Sequence, residues 1–377
     1  MKISIVLGCG FGDEGKGNVT NWLTKNGDEP LVVRFNGGHQ AGHTVIHNEN
    51  RHVFSSFGSG TLNGTPTFWS KYCTIYPPGF NREYDALIKL GVRPEMYFDP
   101  LCPITTPFDI ESGQTSERLD RHGSCGSGFG RTIWRHETLD HSYRIFAKDL
   151  LNDWILLQKL KMIRNLESSV GVYTNFDEFL NQCRIWRNRI ILQSESEILK
   201  DTEFENIIFE GAQGILLDRE HGIFPHVTRS HTTSKNAIEI IERNFKNSRI
   251  HIYYISRCYQ TRHGNGPLFG ECTPNKLKLI NFSDETNKSN EWQGEFRYAP
   301  FNFNLFNHAK FTDSCYNSHL VGSRTNVITC LDQFAENIPI QNDAGGSAIV
   351  GKKYFMDAFT KGTILSFSPD MSKIEIR

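Results

Sequence analysis

The chain has 377 residues, 38% hydrophobic and 22% charged, a balance typical of a soluble globular protein with a sizeable core. The formal net charge of −1 offers no basic excess to neutralise a phosphate backbone, so nucleic acid is not an expected partner. No apolar run approaches the roughly 18 residues of a membrane span, and the N-terminus lacks the features of a signal peptide. Nine scattered cysteines without a CxxC pair indicate reduced thiols, so we expect a cytoplasmic protein.

The predicted elements alternate between strands and helices. An apolar run at residues 3–7 predicts a buried strand, and a glycine-rich turn, a helix at 18–25 and a second strand at 31–35 follow it. Further strands are predicted at 207–209, 250–255, 327–331 and 363–367, and further helices at 149–166 and 232–244. This order is typical of parallel α/β units. We therefore predict one domain over residues 1–377, a P-loop-like nucleotide-binding α/β fold with a central, mostly parallel sheet flanked by helices.

Two further segments have a predicted character. The helix at 149–166 places Leu150, Trp154, Leu157 and Leu160 at helical spacing, which indicates a face packed in the core or in a dimer. The polar stretch at 283–290 is the best candidate for a mobile loop.

The turn after the first strand, residues 8–17, has the composition of a phosphate-binding loop. From Gly10 it satisfies the pattern G-x-x-x-x-G-K, but Gly17 stands where a Walker loop has serine or threonine. Glycines allow backbone N–H groups to converge on phosphate oxygens, and Lys16 adds a charge for a transferring phosphoryl group. Because the hydroxyl that normally holds Mg²⁺ is missing, Asp13 is the expected magnesium ligand.

A second glycine-rich loop, residues 36–44, follows the second strand and contains His39 and His43. Two histidines four residues apart could bind a metal on a helix. The three glycines argue against a helix, however, and no third ligand is indicated. A loop histidine that donates a proton to a substrate oxygen is the better interpretation.

GDEGKG at residues 12–17, followed by GGHQAGHT at 37–44, resembles the paired signature of the adenylosuccinate synthetase family. Other segments resemble family motifs in the same order along the chain. They are 123–128 (GTTGRG in the family), 209–218 (FEGAQG), 221–228, 261–267 (TRxGxGP), 329–332 (TKLD) and 366–369 (SxGP).

The resemblance implies a ligase that activates a purine 6-oxygen with a triphosphate and replaces it with aspartate. Asp13 would remove the purine N1 proton and bind Mg²⁺, His43 would act as an acid toward O6, Lys16 would hold phosphate, and Gln213 would contact the base. A carboxylate that makes the oxygen nucleophilic and an imidazolium that offsets its charge suit this chemistry.

The resemblance also implies the binding residues. The triphosphate would contact Gly12, Glu14, Gly15, Lys16, Gly17, Gly42, Thr44, Asp332, Ser366 and Pro369. The purine monophosphate would contact Asn36, Gln40, Ser124, Cys125, Gln213, Leu217, Thr228, Arg262 and Gly264. L-Aspartate would contact Gln293, Gly294 and Arg297, and Mg²⁺ would contact Asp13 and Gly42.

Several departures from the family pattern bear on the substrates. Glu295 replaces an arginine that approaches the ribose, Cys330 replaces the lysine of TKLD, and Gln40 replaces an asparagine. The chain is also tens of residues shorter than bacterial members. These features resemble a phage branch that uses dGMP, which would place the protein in the host cytoplasm, whereas Asp13 is retained as in IMP-using members. We expect dGMP or IMP, L-aspartate, and ATP or GTP as substrates.

Other interpretations remain open. A nucleotide-dependent phosphotransferase or GTPase-like switch would use the same loop, although Gly17 disfavours it. An inactive nucleotide-binding or assembly protein is the third reading, which Asp13, Lys16 and His43 disfavour. Family members are usually homodimers in which an arginine reaches the other subunit's substrate phosphate, and the candidates for it here are Arg131, Arg135 and Arg144.

Overall fold

The computed structural model describes residues 1–47, 50–120, 123–166, 176–200, 203–245, 248–280, 292, 294–316, 318–341 and 346–377. The predicted loop at 283–290 and the predicted site residue Gln293 lie outside these ranges.

The strands within the described ranges are β1 (Lys2–Gly8), β2 (Pro30–Arg34), β3 (His43–His47), β4 (Asn50–Phe54), β5 (Thr67–Trp69), β6 (Met96–Phe98), β7 (Ile191–Leu192), β8 (Asn206–Glu210), β9 (Ile250–Arg257), β10 (Tyr259–His263), β11 (Phe296–Pro300), β12 (Val321–Thr329), β13 (Asn337–Gln341), β14 (Ser347–Gly351), β15 (Ile364–Ser366) and β16 (Ile374–Ile376). The α-helices are α1 (Lys16–Lys25), α2 (Pro77–Lys89), α3 (Pro107–Asp120), α4 (Phe129–Thr138), α5 (Asp153–Leu166), α6 (Phe176–Arg187), α7 (Glu195–Lys200), α8 (Lys235–Asn244), α9 (Pro274–Leu277), α10 (Phe303–Ser314) and α11 (Lys352–Asp357).

A 10-stranded sheet has the order β16-β15-β12-β9-β1-β8-β2-β5-β6-β7. All neighbouring strands in it run parallel except β15 and β16 at one edge. The prediction of a central, mostly parallel sheet is therefore confirmed. Of the described helices, none is long and apolar enough to cross a membrane.

The central strand β1 is apolar on both faces because helices cover both sides of the sheet. Ile3, Ile5 and Leu7 belong to the largest buried cluster, whereas Val6 packs on the other face in a cluster that includes Val19 of α1. Since neighbouring parallel strands end at the same edge, the loops after β1, β8, β9 and β12 lie side by side.

The helix predicted at 149–166 is wrong at its start. A 3₁₀ turn (Ala147–Leu151) is followed by α5 from Asp153. The helical structure is interrupted at Asn152, which caps the start of α5. Its Oδ1 accepts hydrogen bonds from the backbone N–H groups of Trp154 and Ile155, both at 3.1 Å. Trp154, predicted on the packed face, is 70% exposed.

Two other predicted boundaries shift for local reasons. The helix predicted from residue 232 begins at Lys235, because Asp218 Oδ2 accepts the N–H groups of Thr232 and Thr233 at 2.6 and 3.4 Å. The strand predicted at 327–331 ends earlier, because Cys330 has a left-handed φ of 62° that no strand residue adopts.

Candidate active site

The turn between β1 and α1 is folded around the carboxylate of Glu14. The backbone N–H groups of Gly10 and Gly12 donate to Glu14 Oε1 at 3.0 and 2.9 Å, and Lys16 Nζ donates to Glu14 Oε2 at 2.5 Å. Glu14 and Lys16 are each 3% exposed, so the ion pair is shielded from water. Converging N–H groups beside a lysine are suited to holding an anion. Part of the predicted phosphate-binding loop thus holds an anionic group of its own chain.

Strained backbone in this turn is held by hydrogen bonds from other strands. Gly15 has a φ of 98°, which glycine adopts readily, but Asp13 has a φ of 62°, which costs a residue with a side chain about 1 kcal/mol. Arg257 Nε donates to the carbonyl oxygen of Asp13 at 2.6 Å, and Thr329 Oγ1 donates to that of Glu14 at 2.8 Å. The ends of β9 and β12 therefore fix the position of the loop.

Arg257 was not among the predicted site residues. It ends β9, next to β1, and its Nη1 donates to the Tyr259 hydroxyl at 2.7 Å. Its guanidinium lies 5.7 Å from the ring centroid of Phe296 in β11. The signal that could have found it is a charged residue at the carboxyl end of an otherwise mostly apolar strand beside the phosphate loop.

The carboxylate of Asp13 makes no hydrogen bond to any residue in the described part of the chain. Burial raises its pKa, while the charges of Arg257 and Lys16 oppose that rise. A carboxylate with a raised pKa is a stronger base, and free oxygens can receive a proton or coordinate a cation. Both properties fit the predicted roles of Asp13.

His43 is oriented by Glu210, a buried residue at the end of β8 that the motif comparison did not single out. His43 Nδ1 lies 2.6 Å from Glu210 Oε1. Ser59 donates to the same carboxylate through its backbone N–H at 3.0 Å and through its hydroxyl. Burial alone would raise the pKa of Glu210, but His43 and Arg34 hold it below its usual value. The ionised carboxylate therefore accepts a hydrogen bond from the Nδ1–H of His43.

The other nitrogen of His43 is left for a ligand. Nε2 is buried and has no hydrogen-bond partner among the described residues. Burial lowers the pKa of His43, and the neighbouring Glu210 carboxylate opposes that shift. Anionic groups brought near Nε2 would favour the protonated ring, because they stabilise its charge. This arrangement suits a proton donor, as predicted.

The absence of a hydroxyl at position 17 has a steric cause. A Cβ on Gly17 would lie 3.0 Å from both His43 Cβ and Ser59 Oγ, and 3.2 Å from the Thr44 carbonyl oxygen. The first turn of α1 thus packs directly on the start of β3. A serine or threonine would displace His43 or Ser59.

The second glycine-rich loop, residues 36–44, is joined to the loop after β8 by Asn36. Its Oδ1 accepts the N–H of Ala212 at 2.8 Å, and its Nδ2 donates to the Ala212 carbonyl oxygen at 3.1 Å. A Cβ on Gly37 would lie 2.7 Å from Ala212 Cβ and 3.1 Å from Gln213 Oε1. The side-chain amide of Asn36 therefore positions the two loops, and its predicted contact with the purine nucleotide stays a prediction.

Two glutamines near these loops carry unused polar groups. Both amide atoms of Gln40 and the Oε1 atom of Gln213 are buried without a hydrogen-bond partner in the described part of the chain. Leaving such groups unpaired costs free energy, which a bound ligand would recover. This supports the predicted nucleotide contacts of both. Thr228 is tied to the same region, since its N–H donates to the Leu217 carbonyl oxygen at 2.9 Å.

The loop at residues 123–128 approaches the second loop through His39, whose Nε2 lies 3.0 Å from the Ser127 carbonyl oxygen. Ser124 is exposed, and its hydroxyl accepts the N–H of Gly126 at 3.3 Å. Cys125 Sγ lies 2.9 Å from Ser127 Oγ. The structure thus brings two of the predicted phosphate-contacting residues next to the second loop.

Arg262, near the end of β10, is hydrogen-bonded to the compact turn that follows the strand and contains Gly264. Arg262 donates from Nε to the Asn265 carbonyl oxygen at 3.1 Å and from Nη1 to that of Pro267 at 2.9 Å. Its guanidinium lies 4.4 Å from the ring centroid of Phe11 in the first loop. Arg262 thereby links this turn to the phosphate loop, while Gly264 has a φ of 81°.

Arg297, the predicted aspartate clamp, is held within the chain. Its Nε donates to Glu271 Oε1 at 2.9 Å and its Nη2 to Glu271 Oε2, while Nη1 donates to the carbonyl oxygens of Gly264 and Gly266 at 2.9 and 2.8 Å. Aspartate would have to compete with Glu271 for this guanidinium. Gly294, nearby in sequence, has a φ of 78°.

The predicted base-reading segments lie together at the ends of the parallel neighbours β12 and β15. Asp332 lies in a 3₁₀ turn after Cys330, and its carboxylate makes no hydrogen bond within the described ranges. Ser366 is 1% exposed and donates to the Ser368 carbonyl oxygen at 2.9 Å, while Pro369 is exposed. The free carboxylate suits recognition of base N–H groups.

Of the three arginines considered for a subunit interface, Arg135 is unsuitable. It is 2% exposed and donates from Nε and Nη2 to the Asp109 carboxylate at 2.8 and 2.7 Å. Arg144 donates to the Leu139 carbonyl oxygen, and Arg131 lies 4.1 Å from the ring centroid of Trp134. Only the last two remain candidates.

The residues present fit a magnesium ion that is shared with a nucleotide. In the described part of the chain, no group of three or more His, Cys, Asp or Glu side chains could hold a metal. Mg²⁺ is usually held by one or two carboxylates together with substrate phosphates, so such a cluster is not required. Asp13 has unpaired oxygens, and Gly42 is an exposed residue just before β3.

Comparison with known proteins places this geometry in context. A sequence profile described as adenylosuccinate synthetase matches residues 5–294. The adenylosuccinate synthetases of Borrelia duttonii and Psychrobacter cryohalolentis are each 30% identical to the chain, over 72% and 71% of its length. The matches cover 65% and 64% of those relatives' own length.

Two solved structures have the same fold. Fully ligated adenylosuccinate synthetase from Plasmodium falciparum superposes with a TM-score of 0.77 at 17% identity, over 100% of both chains. Cyanophage S-2L succinoaminodeoxyadenylate synthetase bound to dGMP and dATP gives a TM-score of 0.64 at 14% identity, over 100% of this chain and 95% of that one. At these identities the likeness is evidence of fold alone.

Proposed function

Because the chain belongs to the adenylosuccinate synthetase family, we propose that it is a carbon–nitrogen ligase that joins L-aspartate to the 6-position of a purine nucleoside monophosphate, driven by hydrolysis of ATP or GTP. The observation that carries the proposal is the His43–Glu210 pair, in which His43 packs against Gly17 of the phosphate loop and its Nε2 has no partner among the described residues. A phosphoryl-transfer enzyme alone would not need an oriented proton donor at this place.

In the first step the purine O6 attacks the γ-phosphorus, the bond to the diphosphate leaving group breaks, and the N1 proton passes to Asp13. His43 Nε2 donates toward O6, while Glu210 holds the ring in the required tautomer. Lys16 and the loop amides would offset the charge on the transferring group once the nucleotide displaces the Glu14 carboxylate that they hold. In the second step the aspartate amine attacks C6, a C–N bond forms, and the C6–O bond breaks to release phosphate. Mg²⁺, held by Asp13 and the Gly42 carbonyl together with the nucleotide phosphates, would neutralise charge on the phosphates.

The remaining predicted residues complete the proposed site. Gln40, Gln213, Ser124 and Thr228 would contact the monophosphate, and Arg297 the aspartate. Asp332 would read the base of the triphosphate. We propose a homodimer, with Arg131 or Arg144 as the arginine that reaches the other subunit.

For the monophosphate we favour dGMP. Glu295 stands where family members have an arginine near the ribose, and loss of that donor weakens selection for a 2′-hydroxyl. The cyanophage protein with the same fold is one that binds dGMP and dATP. The second candidate is IMP with GTP, favoured by the retained Asp13 and by the names of the 30% identical relatives.

An activity matrix tests the proposal. IMP, GMP and dGMP are each combined with ATP, dATP and GTP, with and without L-aspartate, and phosphate release is measured together with the nucleotide product. The proposal predicts release that depends on aspartate, highest with dGMP. Release that ignores aspartate would instead support a phosphotransferase or switch, and nucleotide binding without turnover an inactive protein.

A further inference from the structure

A cavity of about 480 Å³ lies among the end of β4, the start of α2 and the loop at residues 123–128. None of the residues predicted to bind nucleotide, aspartate or magnesium lines it. Its wall includes His39, Ser56, Tyr76, Arg82 and Glu83. It is therefore a pocket outside the proposed active site, although His39 and Ser127 border both.

The unused polar groups in this wall include two hydroxyl donors, those of Ser56 and Tyr76. Ser56 is 0% exposed, yet its hydroxyl has no hydrogen-bond partner among the described residues. His39 Nδ1 is also buried without a partner, but it is an acceptor, because burial lowers the pKa of the ring and its Nε2–H donates to the Ser127 carbonyl. The hydroxyl of the half-buried Tyr76 makes no hydrogen bond within the described ranges. Buried polar groups without partners are rare in proteins, so the Ser56 hydroxyl beside this cavity points to a missing acceptor.

The one carboxylate in the wall, that of Glu83, is already hydrogen-bonded by its own neighbours. Glu83 Oε2 accepts the Ser55 hydroxyl at 2.7 Å and the Ser56 N–H at 2.8 Å, and both its oxygens lie 3.1 Å from the Ser55 nitrogen. A carboxylate with these donors has little capacity left for a ligand.

Arg82 supplies the positive charge. It is exposed and makes no hydrogen bond or ion pair in the described part of the chain. Its Nη2 lies 3.8 Å from the position that a Cβ on Gly79 would occupy, so the guanidinium folds back over the first turn of α2. That helix starts with two prolines and no side-chain cap, and its 13 residues direct a positive dipole end at the same place.

We propose that this cavity binds an oxyanion of a small molecule, a phosphate or a carboxylate, through Arg82, Tyr76 and Ser56. A cation, unpaired donors and a helix N-terminus converge on a space large enough for such a group. The bond from His39 to the Ser127 carbonyl connects the pocket to both loops that border the active site. The proposal does not depend on the ligase reaction.

Calorimetric titration of the full chain with inorganic phosphate and, separately, with succinate tests this site. The variants are Arg82→Gln, Ser56→Ala and Tyr76→Phe, and the matched control is Arg93→Gln, another exposed arginine without an ion pair in the described ranges. All of them keep the active-site loop unchanged, so any phosphate binding there is common to all. We expect a second binding event in the wild type and in the control, weakened about tenfold or more in Arg82→Gln and less in the other two.

The two probes distinguish which oxyanion the pocket recognises. A phosphate site should bind inorganic phosphate more tightly than succinate, and a carboxylate site should bind succinate more tightly. A crystal soaked in selenate should show anomalous density between Arg82 and Ser56. The proposal is overturned if neither probe gives the second event at tens of millimolar, or if Arg82→Gln binds both probes as tightly as the Arg93→Gln control.

Discussion

Nδ1 of His43 and Oε1 of Glu210 are 2.6 Å apart. This contact fixes the imidazole ring, so that its other nitrogen, Nε2, faces away from the Glu210 carboxylate. The pair resembles the carboxylate–histidine arrangement by which many enzymes set a tautomer. Here the carboxylate comes from the end of β8 and the histidine from the start of β3, so the fold and not local sequence brings them together.

Replacing Glu210 with glutamine should lower kcat by roughly 100-fold while leaving KM for the triphosphate nearly unchanged, because the ring loses the charge that favours its protonated form. Steady-state kinetics measures both constants. Ser59→Ala removes only one donor to the same carboxylate and should cost less than tenfold. A Glu210→Gln enzyme with wild-type kcat would show that the pair is structural.

The Arg257 bond to the Asp13 carbonyl should matter for catalysis. Arg257→Gln removes a charge-assisted hydrogen bond from a strained residue, and we expect kcat to fall by about tenfold or more. Arg257→Lys keeps the charge and should recover part of that loss. The acidic limb of the pH profile is the second readout: without the arginine it should move to higher pH, since this charge opposes the raised pKa of Asp13. Equal profiles would contradict the assignment.

Gly17→Ser should destabilise the protein, although it creates the hydroxyl of an ordinary P-loop. The new side chain would meet His43 Cβ and Ser59 Oγ, and overpacking of this kind costs about 1–3 kcal/mol. Denaturant unfolding measures the change in the free energy of unfolding. Gly351→Ala is the control, because a Cβ there meets no atom within 4 Å. An unchanged midpoint for Gly17→Ser would refute the packing argument.

The pH dependence of kcat/KM follows from two pKa shifts in opposite directions, that of Asp13 upward and that of His43 downward. Asp13 must be ionised to accept a proton, and burial raises its pKa, so activity should fall on the acidic side at a pH above that expected for a free aspartate. His43 must be protonated to donate, and burial lowers its pKa, so activity should fall on the basic side earlier than a free histidine predicts. The plot of kcat/KM against pH should therefore be a narrow bell. The substitution Asp13→Asn should remove most of the activity and abolish the acidic limb of the profile. A flat profile between pH 5 and 8 would contradict both assignments.

The sequence predicted those parts of the site that depend on local pattern. The apolar run of β1 and the glycines after it predict a phosphate loop because strand, turn and helix are adjacent in the chain. The Glu210 and Arg257 contacts could not be predicted, since each joins segments that are more than 160 residues apart and meet only in the folded sheet. The break at Asn152 was missed because the cap competes with a helical pattern that continues through it.

The most direct test of the central claim uses a purine monophosphate labelled with ¹⁸O at the 6-position, dGMP and IMP in parallel, with L-aspartate and a triphosphate. If His43 and Asp13 flank that oxygen while it takes up the phosphoryl group, one ¹⁸O should appear in each phosphate released, as read by mass spectrometry. Phosphate that carries no ¹⁸O while the triphosphate is consumed would contradict the account.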